Sequence, residues 1–185
     1  MTRYGRLSTA VATALAGASL TVSAPAAADT TIGVDVNQAF NYVGACTGGG
    51  PADQPCTVVN RQASPARAMQ APCDGTVVRF RLNGIATANT YRLRAVRDNQ
   101  DGTYTPTATS APPVAITTPG VNEYAASMPI KQGQYVGIDF MNASAGGLRG
   151  FGGPGYLEDV FYTFPADGMP DTPFPDQAIY LYNAD

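Results

Sequence analysis

The sequence contains no histidine and no tryptophan, and it has only three cysteines. The absence of histidine excludes the usual Ser-His-Asp and Cys-His catalytic arrangements, because both use an imidazole as general base. Three cysteines at these spacings also match no common zinc site. Any aromatic surface for stacking on a ligand has to be built from tyrosine or phenylalanine.

Long apolar runs are equally scarce. The one candidate, residues 7–22, follows two arginines and precedes the small residues 26–28. A positive start, an apolar middle diluted by Ser, Thr and Gly, and a small-residue exit are typical of a secretory signal peptide and too weakly apolar for a membrane anchor. We therefore predict that residues 1–28 are a signal peptide. Residues 29–185 are then a single secreted, extracellular domain with no membrane span.

Positive charge is in short supply. The chain has 11 Lys and Arg against 14 Asp and Glu, and removal of the signal peptide would take two of the 11 away. An acidic exported protein of this kind disfavours nucleic acid and anionic membrane surfaces as partners. We expect a monomer whose partner is a cell-wall or extracellular polymer, or a surface protein.

The three cysteines, Cys46, Cys56 and Cys73, cannot all pair within one molecule. We predict a disulfide between Cys46 and Cys56, because the segment CTGGGPADQPC is rich in Gly and Pro and a covalent tie would do most to hold it. The pair Cys46–Cys73 is the main alternative. The remaining thiol is then either buried in the core or reactive, and burial is the commoner outcome.

Short runs with a polarity period of two dominate the rest of the sequence. They include TVVRFRLN, TYRLRAVR, TYTPTATS, QYVGIDF, EDVFYTF and QAIYLY, and clusters of Gly, Pro, Asn and Asp separate them. This pattern predicts half-buried strands; in the first run it places Val78, Phe80 and Leu82 on one face and Val77, Arg79 and Arg81 on the other. The fold class is therefore all-β, an antiparallel jelly-roll-like sandwich. The Gly-rich residues 142–155 and the Pro-rich residues 165–177 are predicted to be long surface segments.

The order of motifs resembles a group of uncharacterised secreted jelly-roll proteins of high-GC Gram-positive bacteria. The resemblance rests on APCDGTVVRFRLNG, on YRLRAVRDNQDGTY and on GVNEYAASMPIKQGQYVGIDF, and it is best over residues 74–140. It implies a jelly-roll sandwich at the cell exterior and transfers no catalytic residue.

Arginine alternation in two neighbouring runs supplies the first candidate site. Arg79 and Arg81 share one face of their strand, as do Arg92 and Arg94, because side chains two apart point the same way. If the strands pair, the four guanidinium groups form a site for an anionic polymer. Alternatively, they are the outer face of the sheet and are neutralised by the acids Asp139, Glu158 or Asp159.

Tyrosines and acidic turns supply the weaker candidates. Tyr180 and Tyr182 share a face and are candidates for stacking on sugar rings, together with Tyr135 and Tyr156. In DNQDG, the carboxylates of Asp98 and Asp101 are candidates for a structural calcium ion, with a hairpin turn as the alternative. A second weak calcium candidate consists of Asp167, Asp171 and Asp176.

The sequence therefore predicts a non-catalytic module that binds an envelope glycan or an anionic polymer. No pair of carboxylates is singled out for acid–base chemistry, so we expect no enzymatic activity. The alternative function is a structural or protein-interaction component of the cell surface without a small ligand. Clustered arginines and tyrosines would favour the glycan module, whereas a charge-balanced surface or a free edge strand would favour the alternative.

Overall fold

The computed structural model describes residues 30–44, 55–62, 68–142, 146–154, 156–162, 165–176, 178–180 and 182–185. Two antiparallel sheets pack face to face, which confirms the predicted β-sandwich. The described residues include no helix. Accordingly, none of them belongs to a helix long and apolar enough to cross a membrane.

The described residues form thirteen strands. They are β1 (Ile32–Gly33), β2 (Tyr42–Gly44), β3 (Cys56–Gln62), β4 (Gly75–Gly84), β5 (Tyr91–Asp98), β6 (Tyr104–Thr109), β7 (Gly120–Ile130), β8 (Tyr135–Phe140), β9 (Leu148–Gly152), β10 (Leu157–Phe161), β11 (Phe174–Asp176), β12 (Ala178–Tyr180) and β13 (Tyr182–Ala184).

The eight strands from β2 through β9 are paired in the order of a jelly roll. One sheet, sheet A, contains the sequence of neighbours β2-β9-β4-β7, and the other, sheet B, contains β3-β8-β5-β6. Strands β10 and β11 extend sheet B beyond β3. In sheet A, β4 and β9 pair at Gly84 and Leu148, while β12 pairs with β9 and β13 with β4. The C-terminal strands therefore hold together the centre of sheet A.

The core lies between the sheets and follows the predicted alternation with one correction. In β5 and β8 the predicted inward residues are buried, among them Leu93, Ile138 and Phe140. In β4, a β-bulge shifts the register between Val77 and Arg79. Val77 is therefore buried in the core and Val78 is 58 % exposed, the reverse of the predicted arrangement.

The Gly-rich segment predicted as a surface loop contains a strand instead. Strand β9 pairs with β2 on one side and β12 on the other, and Gly150 stands opposite both Tyr42 and Tyr180. The two tyrosine rings lie 5.7 Å apart in an edge-to-face contact. Because Gly150 has no side chain, the rings can approach each other beside it. Glycine here serves close packing rather than flexibility.

Much of the outer face of sheet B is buried, although strands with a polarity period of two predict a solvent-exposed side. Residues 165–171, which we call the clasp segment, run across this face. The Pro165 carbonyl accepts from Arg94 Nη1 at 2.6 Å, and the Gly168 N–H donates to the Pro106 carbonyl at 2.7 Å. Val59, Val96, Tyr104 and Phe161 form a second small core on this side.

Candidate functional site

The structure divides the four candidate arginines between the two sheets. Arg79 and Arg81 lie on β4 in sheet A, and Arg92 and Arg94 lie on β5 in sheet B. Strands β4 and β5 are consecutive but belong to different sheets, so the two pairs face opposite sides of the sandwich. The predicted single patch of four guanidinium groups does not form.

Both arginines on sheet A are neutralised by carboxylates. Arg79 Nη2 and Arg81 Nη2 lie 2.6 and 2.8 Å from Asp185 Oδ2, and Arg81 Nε lies 2.8 Å from Glu123 Oε2. Burial works to raise the pKa of Asp185, but hydrogen bonds from Thr31 and from both arginines outweigh it and hold the pKa below its ordinary value. The charges of Arg79 and Arg81 are therefore balanced.

Both arginines on sheet B converge on Asp139, one of the acids expected to neutralise them. Asp139 is fully buried and accepts from Arg92 Nε, from Arg94 Nε and Nη2, each at 2.8 Å, and from Thr57 Oγ1 at 2.6 Å. Arg94 is also buried and contacts the clasp segment through Asp167 at 3.1 Å. This cluster is closed to a large ligand and ties the clasp segment to the sheet.

The candidate tyrosines Tyr180 and Tyr182 lie in the core. Their exposed fractions are 4 % and 1 %. The Tyr182 hydroxyl accepts the Asn60 N–H at 3.0 Å and reaches the Val136 carbonyl at 3.0 Å, so it joins sheet A to sheet B. Neither ring is available as a platform for sugar.

Asp98 and Asp101 act as turn residues. Asp98 Oδ1 accepts the Gln100 N–H at 2.7 Å, and Asp101 Oδ1 accepts the N–H and hydroxyl of Thr103 at 2.9 and 2.6 Å. Gly102 has a φ of 88°, a conformation that favours glycine. Among the described residues, no three acidic or sulfur-bearing side chains come together in a way that would hold a metal ion.

The cysteines are only partly within the described residues. Cys73 is a free, exposed thiol, whereas Cys56 is buried and is not a free thiol. Cys46 lies outside the described residues, so the pair Cys46–Cys56 stays a prediction. The exposure of Cys73 differs from the burial that was expected for the remaining thiol.

Thiol counting tests this pairing. We expect a maleimide to label one cysteine of the denatured, unreduced protein and three after reduction, since Cys73 is free and the other two would be joined. Mass spectrometry of the labelled peptides should place the first label on Cys73. Labelling of all three cysteines without reduction would contradict the disulfide.

A cavity of about 490 Å³ lies at one end of the sandwich. Its lining includes Arg61, Met69, Gln70, Gln132, Gly133 and Tyr135. Two backbone segments form its rim and are tied together, because Ala71 donates to the Gln134 carbonyl and accepts from the Gly133 N–H, both at 2.8 Å. We call this the Tyr135 cavity.

Met69, which lines the Tyr135 cavity, belongs to a cluster of aromatic side chains. Met69 packs in one apolar cluster with Tyr135, Phe151 and Tyr156. The rings of Phe151 and Tyr156 are stacked at 5.4 Å with an interplanar angle of 11°. Tyr135 and Tyr156 were the secondary tyrosine candidates, and both are half-buried here. The structure thus brings together the two tyrosines that the sequence ranked second.

The buried carboxylate of Asp159 supports one wall of the Tyr135 cavity, because it pairs with the lining residue Arg61. Arg61 Nε lies 2.7 Å from Asp159 Oδ2, and the Tyr104 hydroxyl interacts with the same carboxylate. Burial raises the pKa of Asp159, and Arg61 and Tyr104 offset part of this effect. Because Arg61 is paired, the cavity offers hydrogen-bond donors and acceptors rather than a net positive charge.

Sequence reasoning missed Arg61, Gln70 and Gln132. Arg61 is the one charged residue of its strand, Gln70 lies in an isolated bridge and Gln132 in a turn, so no local pattern connects them. Pairing of Gln70 with Tyr135 by an isolated bridge is what brings these segments together. No protein-family model, curated protein or solved structure matches this chain significantly.

Proposed function

We propose that the protein is a secreted, non-catalytic β-sandwich module that binds a saccharide of the cell envelope in the Tyr135 cavity. The observation that carries the proposal is the lining of this cavity, where a half-buried phenol stands beside a guanidinium and two carboxamides. Sugar rings present an apolar face and a rim of hydroxyls, which an aromatic ring and several hydrogen-bond groups complement. The volume of about 490 Å³ suits one or two sugar units.

The charge of the site favours a saccharide recognised through its hydroxyls over a polyanion. The arginines Arg79, Arg81, Arg92 and Arg94 all face carboxylates. Arg61 is likewise paired with Asp159. An anionic polymer would therefore gain little from these five cations.

Absence of catalysis is part of the proposal. The carboxylates of Glu123 and Asp139 are engaged in ion pairs, Glu123 with Arg79 and Arg81, and Asp139 with Arg92 and Arg94. Glu123 and Asp139 also belong to strands of different sheets, β7 and β8.

Loss of the two cavity glutamines should weaken saccharide binding without affecting the fold. Gln70 and Gln132 are exposed, so Gln70→Ala/Gln132→Ala removes hydrogen-bond groups and leaves the core intact. Each lost hydrogen bond is worth about 1 kcal/mol, so we expect an affinity lower by roughly tenfold or more. Pull-down with peptidoglycan and purified cell-wall polysaccharides, followed by titration calorimetry on the retained polymer, measures this.

The matched control is Gln62→Ala/Gln100→Ala, which removes two exposed glutamines outside the cavity lining. This variant should bind like the unmodified protein. Equal loss in both variants would argue against the cavity as the site. Failure of the unmodified protein to bind any of the polymers would overturn the saccharide proposal.

A protein-interaction role is the second candidate, and two observations favour it: the four candidate arginines are neutralised by carboxylates, and strand β7 has a free edge within the described part of the chain. Strand β7 runs for 11 residues and, among the described residues, pairs on one side with β4 and on the other with no strand. Such an edge can accept a strand from another protein. Binding to purified surface proteins in place of polysaccharides would support this alternative.

A further inference from the structure

Arg149 on β9 differs from the arginines described above. Its Nη1 donates to Asn83 Oδ1 at 3.1 Å, and its Cζ lies 4.3 Å from the centroid of the Phe40 ring. Its Nε is buried without a hydrogen-bond partner. The part of the chain that the structure describes places no carboxylate within ion-pair distance of this guanidinium, whereas Arg61, Arg79, Arg81, Arg92 and Arg94 each have one.

A second buried donor lies in the segment that covers Arg149. Residues 34–41 cross the outer face of sheet A, where Asn83 Nδ2 donates to the Val36 carbonyl at 2.6 Å and Phe40 stacks on Arg149. Gln38 lies between these two contacts in the chain, and its Nε2 is buried and has no hydrogen-bond partner among the described residues. Burying a hydrogen-bond donor without an acceptor destabilises the folded protein, and burying an unpaired cation destabilises it more. The region is therefore matched to an acceptor that carries negative charge.

We propose that Arg149, Gln38 and Phe40 form a binding site for the carboxylate of an acidic ligand, with a uronic acid as the fitting chemical class. Asn83 occupies Nη1 and Nε is buried, so a ligand reaches the guanidinium through Nη2. A carboxylate oxygen accepts a charge-assisted hydrogen bond from that group. Gln38 adds a neutral donor.

The exposed Phe40 ring lies where a ligand would enter this site. Its ring covers the guanidinium and is 41 % exposed, and Val43, which pairs with Arg149 across β2 and β9, is 43 % exposed. These apolar groups suit the face of a sugar ring that carries the carboxylate. The site goes beyond the Tyr135 cavity and shares no residue with it.

Titration calorimetry with oligogalacturonate tests the site. We expect Arg149→Gln to weaken binding tenfold or more. The matched control is Arg97→Gln, because Arg97 is exposed and donates through Nε to Asn99 rather than to a carboxylate. Both variants change the net charge equally, so the control should bind within about twofold of the unmodified protein. Inorganic phosphate at equal concentration should not displace the oligosaccharide.

Several outcomes would overturn the site. These are absence of binding by the unmodified protein, equal losses in both arginine variants, and displacement by phosphate. Gln38→Ala gives a second test in a variant that keeps the arginine, and several-fold weaker binding is expected from the loss of one donor. The variant Gln70→Ala/Gln132→Ala should keep its affinity for oligogalacturonate, which separates this site from the Tyr135 cavity.

Discussion

Replacement of Asp139 by asparagine should lower the free energy of unfolding by about 3–5 kcal/mol, because it removes the buried carboxylate that Arg92 and Arg94 share. Asp139 accepts four hydrogen bonds, three of them from Arg92 and Arg94. An amide has one oxygen and no charge, so it cannot hold both guanidinium groups. Equilibrium unfolding in urea, with unchanged dependence on denaturant, measures the loss.

Glu123→Gln is the control for this prediction. Glu123 also pairs with two arginines, but its side chain is 50 % exposed. Such a surface pair contributes at most about 1 kcal/mol. Arg94→Met combined with Asp139→Asn should cost less than the sum of the two single changes, because the buried charges are removed together. Similar small losses for Asp139→Asn and Glu123→Gln would contradict a structural role for the buried cluster.

The sandwich could be predicted from the sequence because each strand shows an alternation of polar and apolar residues within its own length. Alternation in β5 and β8 reflects side chains that point to opposite faces of a sheet, and that alternation is local. Two features were predicted wrongly for physical reasons. The bulge at Val77 depends on pairing with β7, and the glycines of β9 depend on the tyrosine rings of β2 and β12. Neither partner can be read from the local sequence.

The candidate site was less predictable than the fold. The arginine pattern was visible, but the sheet to which each strand belongs decides whether the four side chains meet. Arg149 belongs to the stretch LRGFG, whose alternation places Leu148 inside and Arg149 outside, and its glycine content hid this signal. The Tyr135 cavity joins Arg61 and residues 68–72 to residues 132–135, which are distant from both in the chain. Such a site depends on tertiary structure alone.

Replacement of Tyr182 by phenylalanine should lower the free energy of unfolding by about 1–3 kcal/mol, since it leaves buried polar groups without partners. The Tyr182 hydroxyl accepts the Asn60 N–H and bonds to the carbonyls of Val58 and Val136. Burial raises the pKa of Tyr182 above its ordinary value, so the hydroxyl stays protonated and keeps its donor role.

Tyr124→Phe is the matched control, because the Tyr124 hydroxyl donates to the Ala115 carbonyl at 2.8 Å in an exposed position. Water replaces that bond, so the loss should be under about 0.5 kcal/mol. Urea unfolding of both variants measures the difference, and saccharide retention adds a second readout. Because Tyr182 is a core residue and not a platform, Tyr182→Phe should retain saccharide as the unmodified protein does while it is still folded. Lost retention with unchanged stability would instead make Tyr182 part of a binding surface, against its burial between the two sheets.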